Sequence, residues 1–243
     1  MKLPLSEFLT YLFFPRRCPF CNEVIHYSQD VCDSCKKNLP FIRGNLCKRC
    51  GCEKKFCKCG QSHQFDYAVS PFYYSKPYNY GLLKFKTNRE KWRAKEFAKY
   101  MADCVRKRIS EKIDFAVCVP DHKSRIDDNV KGPRLGYRVS PNATLSSAVC
   151  QELGIELKSD FLHFIKETTT RQQSLSFHGR KANVFGTIDV KGDYDKLIGK
   201  NILVIDDVLT TGSTVSECAK MLKLYGADKV FALTLFTTKQ EKK

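Results

Sequence analysis

The sequence predicts an α/β protein, a parallel sheet flanked by helices behind a small cysteine-bound N-terminal domain, and three observations carry that prediction. An apolar strand, a hydroxyl-rich glycine turn, a helix and a second strand follow one another between residues 201 and 236. Nine of the thirteen cysteines crowd between Cys18 and Cys59. Hydrophobic residues make up 42% of the 243, enough for one substantial core, yet no apolar run reaches the ~20 residues of a membrane span.

From the N-terminus, Cys18 and Cys21 form one C-x2-C pair, and Cys32 and Cys35 form a second after ten intervening residues. Each pair turns two thiolates toward one ion, so the four predict a tetrahedral zinc site. Cys47 and Cys50 open a second set, which closes with Cys57 and Cys59 separated by a single residue. Cys52 and His63 are alternative donors there, and a metal-free loop is the competing reading. Disulfides are disfavoured, because Leu3 to Phe14 is too short for an export signal and contains Glu7, and Pro15-Arg16-Arg17 is no cleavage site. A reducing cytoplasm is the expected location. Clustering ends near Ser62 to Phe65, which divides the chain into residues 1–64 and 65–243.

Beyond that boundary, Tyr67 to Tyr74 reads as a strand, Lys91 to Ile109 as a helix and Asp114 to Val119 as a strand stopped by Pro120. A polar stretch from Asp121 to Asn142 precedes a helix over Ala143 to Leu153, and Val184 to Val190 is strand-like. Cys104, Cys118, Cys150 and Cys218 fall in apolar patterns and read as small core residues. His122, His163 and His178 have no paired acid or serine and read as structural or surface groups.

The formal charge is +16, with a surplus of six in residues 1–65 and ten in the remainder. Each four-thiolate zinc centre would subtract two, so the excess belongs mainly to the second domain. Lys84 to Lys112 holds eleven basic and four acidic residues. Lys84, Lys86, Arg89, Lys91 and Arg93 accompany Phe85, Trp92, Phe97 and Tyr100, and cations interleaved with aromatics suit a single-stranded phosphate backbone and its unpaired bases. The competing reading makes Trp92, Phe97 and Tyr100 the buried face of a helix whose lysines are solvated.

The most informative run is Asn201 to Thr214. Asn201 to Ile205 is a short apolar strand, which delivers Asp206 and Asp207 into a turn comprising Val208, Leu209, Thr210, Thr211, Gly212, Ser213 and Thr214. A helix follows to Tyr225, with Val215, Cys218, Ala219 and Leu222 on one face and Gly226 as its stop; Val230 to Phe236 is the next strand. The turn therefore lies at the carboxyl edge of a parallel sheet, where amides at a helix N-terminus and four hydroxyls can surround a phosphate. Asp206 and Asp207 have the wrong sign for phosphate and suit sugar hydroxyls or a magnesium ion brought by the ligand. An Asp-capped turn with no ligand is the plainer alternative.

These thirteen residues, Ile202 to Thr214, resemble the phosphoribosyl pyrophosphate signature of type I phosphoribosyltransferases, and the wider chain resembles the ComF/ComFC family of competence proteins. Phe13-Phe14-Pro15-Arg16-Arg17-Cys18, Phe65-Asp66, Leu82-Leu83-Lys84-Phe85-Lys86, and Gln173-Ser174-Leu175-Ser176 with Arg180 and Asn183 carry the second resemblance. It implies a type I phosphoribosyltransferase-like sheet, an N-terminal double zinc ribbon, and a site for magnesium and phosphoribosyl pyrophosphate in which Asp121 to Arg125 meets pyrophosphate. It also implies single-stranded DNA as a partner during natural transformation, together with a competence helicase or recombination mediator. Two departures stand out: Cys57 and Cys59 are one residue closer than the family's pair, and Leu135-Gly136-Tyr137-Arg138 replaces a G-F-N-Q-like element. A metabolic phosphoribosyltransferase and a non-catalytic phosphoribosyl pyrophosphate sensor are the other functional classes compatible with the signature.

Overall fold

A computed structural model describes residues 13–57, 63–88, 90–120, 140–165 and 188–239. A short helix α1 (Asp33–Asn38) lies within the first cysteine set, where the Cys32 sulfur accepts from the Cys35 amide. Then come β1 (Tyr67–Val69), β2 (Phe72–Tyr73), α2 (Tyr80–Asn88), α3 (Trp92–Arg108) and β3 (Phe115–Cys118). The chain continues with α4 (Pro141–Leu153), β4 (Glu156–Leu157), β5 (Leu162–Phe164), β6 (Ile188–Val190), β7 (Asn201–Leu209), α5 (Ser213–Leu224) and β8 (Lys229–Thr237).

The main sheet runs β1-β8-β7-β3-β4, with β2 also on β8, and every pairing in it is parallel. β5 and β6 form a separate antiparallel pair. The expected strand from Tyr67 to Tyr74 is thus two pieces on one neighbour, interrupted at Ser70-Pro71, since proline cannot donate to a ladder. β7 outruns its expected end at Ile205. β8 is equally long and pairs Asp206 with Thr234, Val208 with Phe236 and Leu209 with Thr237, which overrides the low strand propensity of aspartate.

Helix termini follow local chemistry. Ser140 caps α4 by accepting from the Ala143 amide at 3.1 Å, ahead of Pro141, and left-handed Gly154 ends it. In α3, Phe97, Met101, Cys104 and Val105 are buried while Arg106, Lys107 and Arg108 occupy the last turn, where cations complement the helix dipole. No helix among the described residues is long and apolar enough to cross a membrane.

Both sheet faces are covered. Ile202, Val204 and Val230 pack under Cys218 and Leu222 of α5, while Leu203, Ile205 and Leu233 pack on the other face with Phe97 and Met101 of α3. That second cluster also contains Cys18, Phe20, Ile25, Cys32 and Cys35 from the first cysteine set. Side chains from either side of residue 64 therefore share one core. The contact is close: the Gly81 amide donates to the Phe20 carbonyl at 2.6 Å, and a Cβ on Gly81 would stand 1.6 Å from the Pro19 oxygen. Cys104, Cys118, Cys150 and Cys218 are all buried, as their apolar settings predict.

Candidate functional site

The end of β7 sets the site at the carboxyl edge of the sheet. Asp206 and Asp207 are half buried, and the Asp207 amide donates to Asp206 Oδ1 at 2.8 Å. Val208 is half buried and Leu209 is buried, with its carbonyl accepting from Thr237 Oγ1 at 3.1 Å and the Thr238 amide at 3.0 Å. The side chains of Val208 and Leu209 thus pack the strand end. The exposed groups are Thr210, Thr211, Ser213 and Thr214.

Gly212 sits at the N-cap of α5 with φ of 76° and a carbonyl that accepts the first helical bond, from Ser216, at 2.8 Å. A Cβ there would adopt a left-handed backbone and lie 3.0 Å from the His63 ring. Thr211 and Ser213 hydroxyls meet at 2.8 Å, so the first turn of α5 presents amides and hydroxyls together. This arrangement can hold an anion beside two carboxylates.

Lys86 changes role. Its Nζ pairs with Asp207 Oδ2, with both side chains largely shielded, so it belongs to this edge rather than to a surface stripe. Arg93 is a correction too. It is fully buried, with Nη1 donating to the carbonyls of Cys18 and Pro19 at 2.9 Å each, Nη2 donating to Asn22 Oδ1 at 2.5 Å, and Nε donating to Glu90 Oε2 at 2.7 Å. A guanidinium so committed cannot contact a strand. Lys84 lies over the Tyr80 ring at 5.4 Å, and Lys91 is exposed just before α3. Phe97 and Tyr100 join the core, as the competing reading has it, whereas Trp92 stays 43% exposed. Arg89, Cys59, His122, His178, the 121–139 segment and the stretch carrying Gln173, Arg180 and Asn183 lie outside the described residues.

Three contributors to the site have little sequence signal. Asn142 is buried and donates to the Val119 carbonyl at 2.8 Å, bridging toward Ile205, while its Oδ1 has no partner among the described residues. His63 stacks on Phe65 at 4.7 Å and abuts Gly212; Ser216 accepts from the Gln64 amide at 2.8 Å. Burial, and then the nearby Arg49 charge, holds the His63 imidazole below its ordinary pKa.

Sulfurs of Cys18, Cys21, Cys32 and Cys35 all lie within 4.8 Å of one another, and Cys21 and Cys32 are 3.6 Å apart. Tetrahedral zinc with Zn–S of about 2.3 Å places its thiolates about 3.8 Å apart, so the donor set fits. Without a cation the thiols resist joint ionisation: a hydrogen bond from Cys35 lowers Cys18 to about 4, whereas burial pushes Cys21 up to about 12. Cys47, Cys50 and Cys57 form a second group on the same criterion, with Cys50 and Cys57 at 3.5 Å. Neither alternative donor belongs to that group, although Cys52 also hydrogen-bonds Cys50. The Cys52 sulfur meets Thr237 Oγ1 at 3.6 Å, and the His63 ring faces Gly212.

Residues 9–64 match the family model described as Double zinc ribbon domain. Over 229 residues, 90% of this chain and 95% of the relative, the sequence is 26% identical to Competence protein F of Haemophilus influenzae. The chain is a homologue of that competence protein. A further match, 30% identical over 114 residues, is to Orotate phosphoribosyltransferase of Yarrowia lipolytica, covering 47% of this chain and 45% of the enzyme. Among solved structures, a hypoxanthine phosphoribosyltransferase from Staphylococcus aureus is similar with 17% identity and a TM-score of 0.34, over 60% of this chain and 64% of that one.

Proposed function

We propose that this protein handles incoming single-stranded DNA in the cytosol during natural transformation, and that residues 206–214 form its site for magnesium-bound phosphoribosyl pyrophosphate. Residues 1–64 serve as the zinc-ribbon domain and 65–243 as the phosphoribosyltransferase-like domain, with a competence helicase or recombination mediator as protein partner. The observation that carries the reading is the pairing of two carboxylates with a glycine-capped hydroxyl turn, in a homologue of a competence protein.

Each group has a defined task. Exposed hydroxyls of Thr210, Thr211, Ser213 and Thr214, with the first-turn amides of α5, bind the ligand's 5-phosphate. Asp206 and Asp207 orient the ribose hydroxyls, and magnesium, when bound, offsets diphosphate charge. Lys86 pairs with Asp207 and keeps its carboxylate aligned until the ligand arrives. Cysteine sets 18–21–32–35 and 47–50–57 hold zinc that fixes the ribbon.

The ligand assignment is tested by thermal unfolding with magnesium and phosphoribosyl pyrophosphate. Stabilisation of the parent protein that disappears in Asp206→Asn/Asp207→Asn supports it, and no shift in the parent removes it. Fluorescence anisotropy with a labelled oligonucleotide, and transformation frequency with and without the gene, test the DNA role. The orotate phosphoribosyltransferase match favours a second reading, transfer of the ribosyl group to a nitrogen nucleophile. Pyrophosphate release across a panel of bases distinguishes that reading from ligand sensing.

A further inference from the structure

A groove of about 530 Å³ runs between the first cysteine set and the start of α3, and Arg16, Arg17, Trp92 and Lys95 line it. Its three carboxylates are already engaged: Asp30 with Arg16, Glu90 with Arg93, and Glu96 with Lys99. Among the described residues, Arg17 and Lys95 have no carboxylate partner, so they supply the groove's uncompensated positive charge.

Trp92 is the only tryptophan in the chain. The Arg93 guanidinium carbon stands 4.3 Å from its ring centroid, and Arg93 is in turn locked by the Cys18 and Pro19 carbonyls, Asn22 and Glu90. The indole is therefore backed by a fully buried cation while 43% of the residue remains open to solvent. A large aromatic ring held against a fixed support has little side-chain entropy left to lose when something stacks on it. Phe13 and Phe14, which immediately precede Pro15 of the groove wall, are 73% and 78% exposed and add further aromatic surface.

We infer that this groove is the seat of unpaired bases of single-stranded DNA, with Trp92 as the stacking platform and Arg17 and Lys95 as the phosphate contacts. The inference rests on the DNA-handling reading and gives that reading an address. It moves the contact surface from α2 to the seam between ribbon and helix. A π-face joined to phosphate is what a strand offers and an acidic peptide lacks, and the paired carboxylates at the groove can accept from base amino groups. Lys86, engaged elsewhere, is not required, and Arg93 serves as the support behind the ring rather than as a phosphate contact.

The lone tryptophan makes the test direct. Oligothymidylate is titrated into the zinc-loaded full chain while indole emission and the anisotropy of a label on the oligonucleotide are recorded together. Stacking on Trp92 quenches its emission with the same midpoint as the anisotropy change. Trp92→Ala weakens binding about 5- to 150-fold, the range measured for one stacked base, and Trp92→Phe recovers part of the loss. Arg17→Ala and Lys95→Ala each lower the salt slope by about one. Circular dichroism melting of every variant confirms that the fold is kept, and Trp92→Phe provides the readout if Trp92→Ala melts early. Oligonucleotide binding with unchanged indole emission and unaltered Trp92→Phe affinity overturns the groove while leaving the DNA role standing. No anisotropy change in the parent protein overturns both.

Discussion

The two cysteine sets belong to one ribbon segment but are built into the molecule in opposite ways. The first is core: Cys18, Cys32 and Cys35 are buried with the main apolar cluster, and neighbouring Phe20 meets Phe72, Phe97 and Tyr100 at ring distances of 5.3, 5.5 and 5.4 Å. The second keeps a small cluster of its own, Ile42, Cys50, Cys52 and Tyr73. It reaches the β7–α5 turn by two routes: Arg49 donates to the His63 carbonyl, and Cys52 contacts Thr237, whose hydroxyl donates to Leu209. Similar spacing in sequence thus has two structural consequences. One set is built into the fold's core, and the other braces the turn proposed to hold the ligand.

The sharpest break in that comparison comes from the thiolates themselves. Cys35→Ser should abolish cooperative unfolding or lower the melting temperature drastically, because structural zinc contributes on the order of 10 kcal/mol to such modules. Cys50→Ser should leave a cooperative melt but diminish the shift given by magnesium and phosphoribosyl pyrophosphate. Equal effects of the two on both readouts would erase the distinction.

Next in size is Arg93→Ala. It strands two buried carbonyls and removes the partner of Glu90, and denaturant unfolding should show a loss of about 3–5 kcal/mol. Arg108→Ala is the counterpart near the second set, where the guanidinium bonds the Ser70 and Ile42 carbonyls from a half-exposed position. That substitution should cost about 1–2 kcal/mol in the same measurement.

Gly212→Ala should cost about 1–2 kcal/mol from its left-handed backbone and the His63 contact. Its larger effect should be on ligand-induced stabilisation, measured by scanning calorimetry with and without ligand. The smallest effect expected is a pH dependence from His63. Its folded pKa is depressed, so the unfolded chain binds the proton first, and stability falls as pH drops below the ordinary histidine value near 6.5 toward the folded value. Urea midpoints between pH 5 and 8 should show this slope in the parent and a flatter one in His63→Gln.

Much of the architecture was legible because it is local. Alternation and spacing marked β7, α5 and β8, the apolar face of α3, and the first four thiolates, each from residues within a few turns of one another. What escaped depends on distant partners. Asp206 to Leu209 became strand only because β8 matched their length, and Lys86 met Asp207 across the fold. Arg93 looked like surface charge because nothing nearby in sequence reveals that two carbonyls 74 and 75 positions away close over it. His63 had a ligand's chemistry and a spacer's position. Asn142 gave no cue that its amide would span two strand ends.

The Gly81 seam has a further consequence for how such a protein can change over generations. A ribbon pressed so near a foreign backbone that even a methyl group is refused cannot be traded for another by simple shuffling. Any successful exchange would have to bring a complementary hollow with it, so the two halves are bound to be inherited as a matched set.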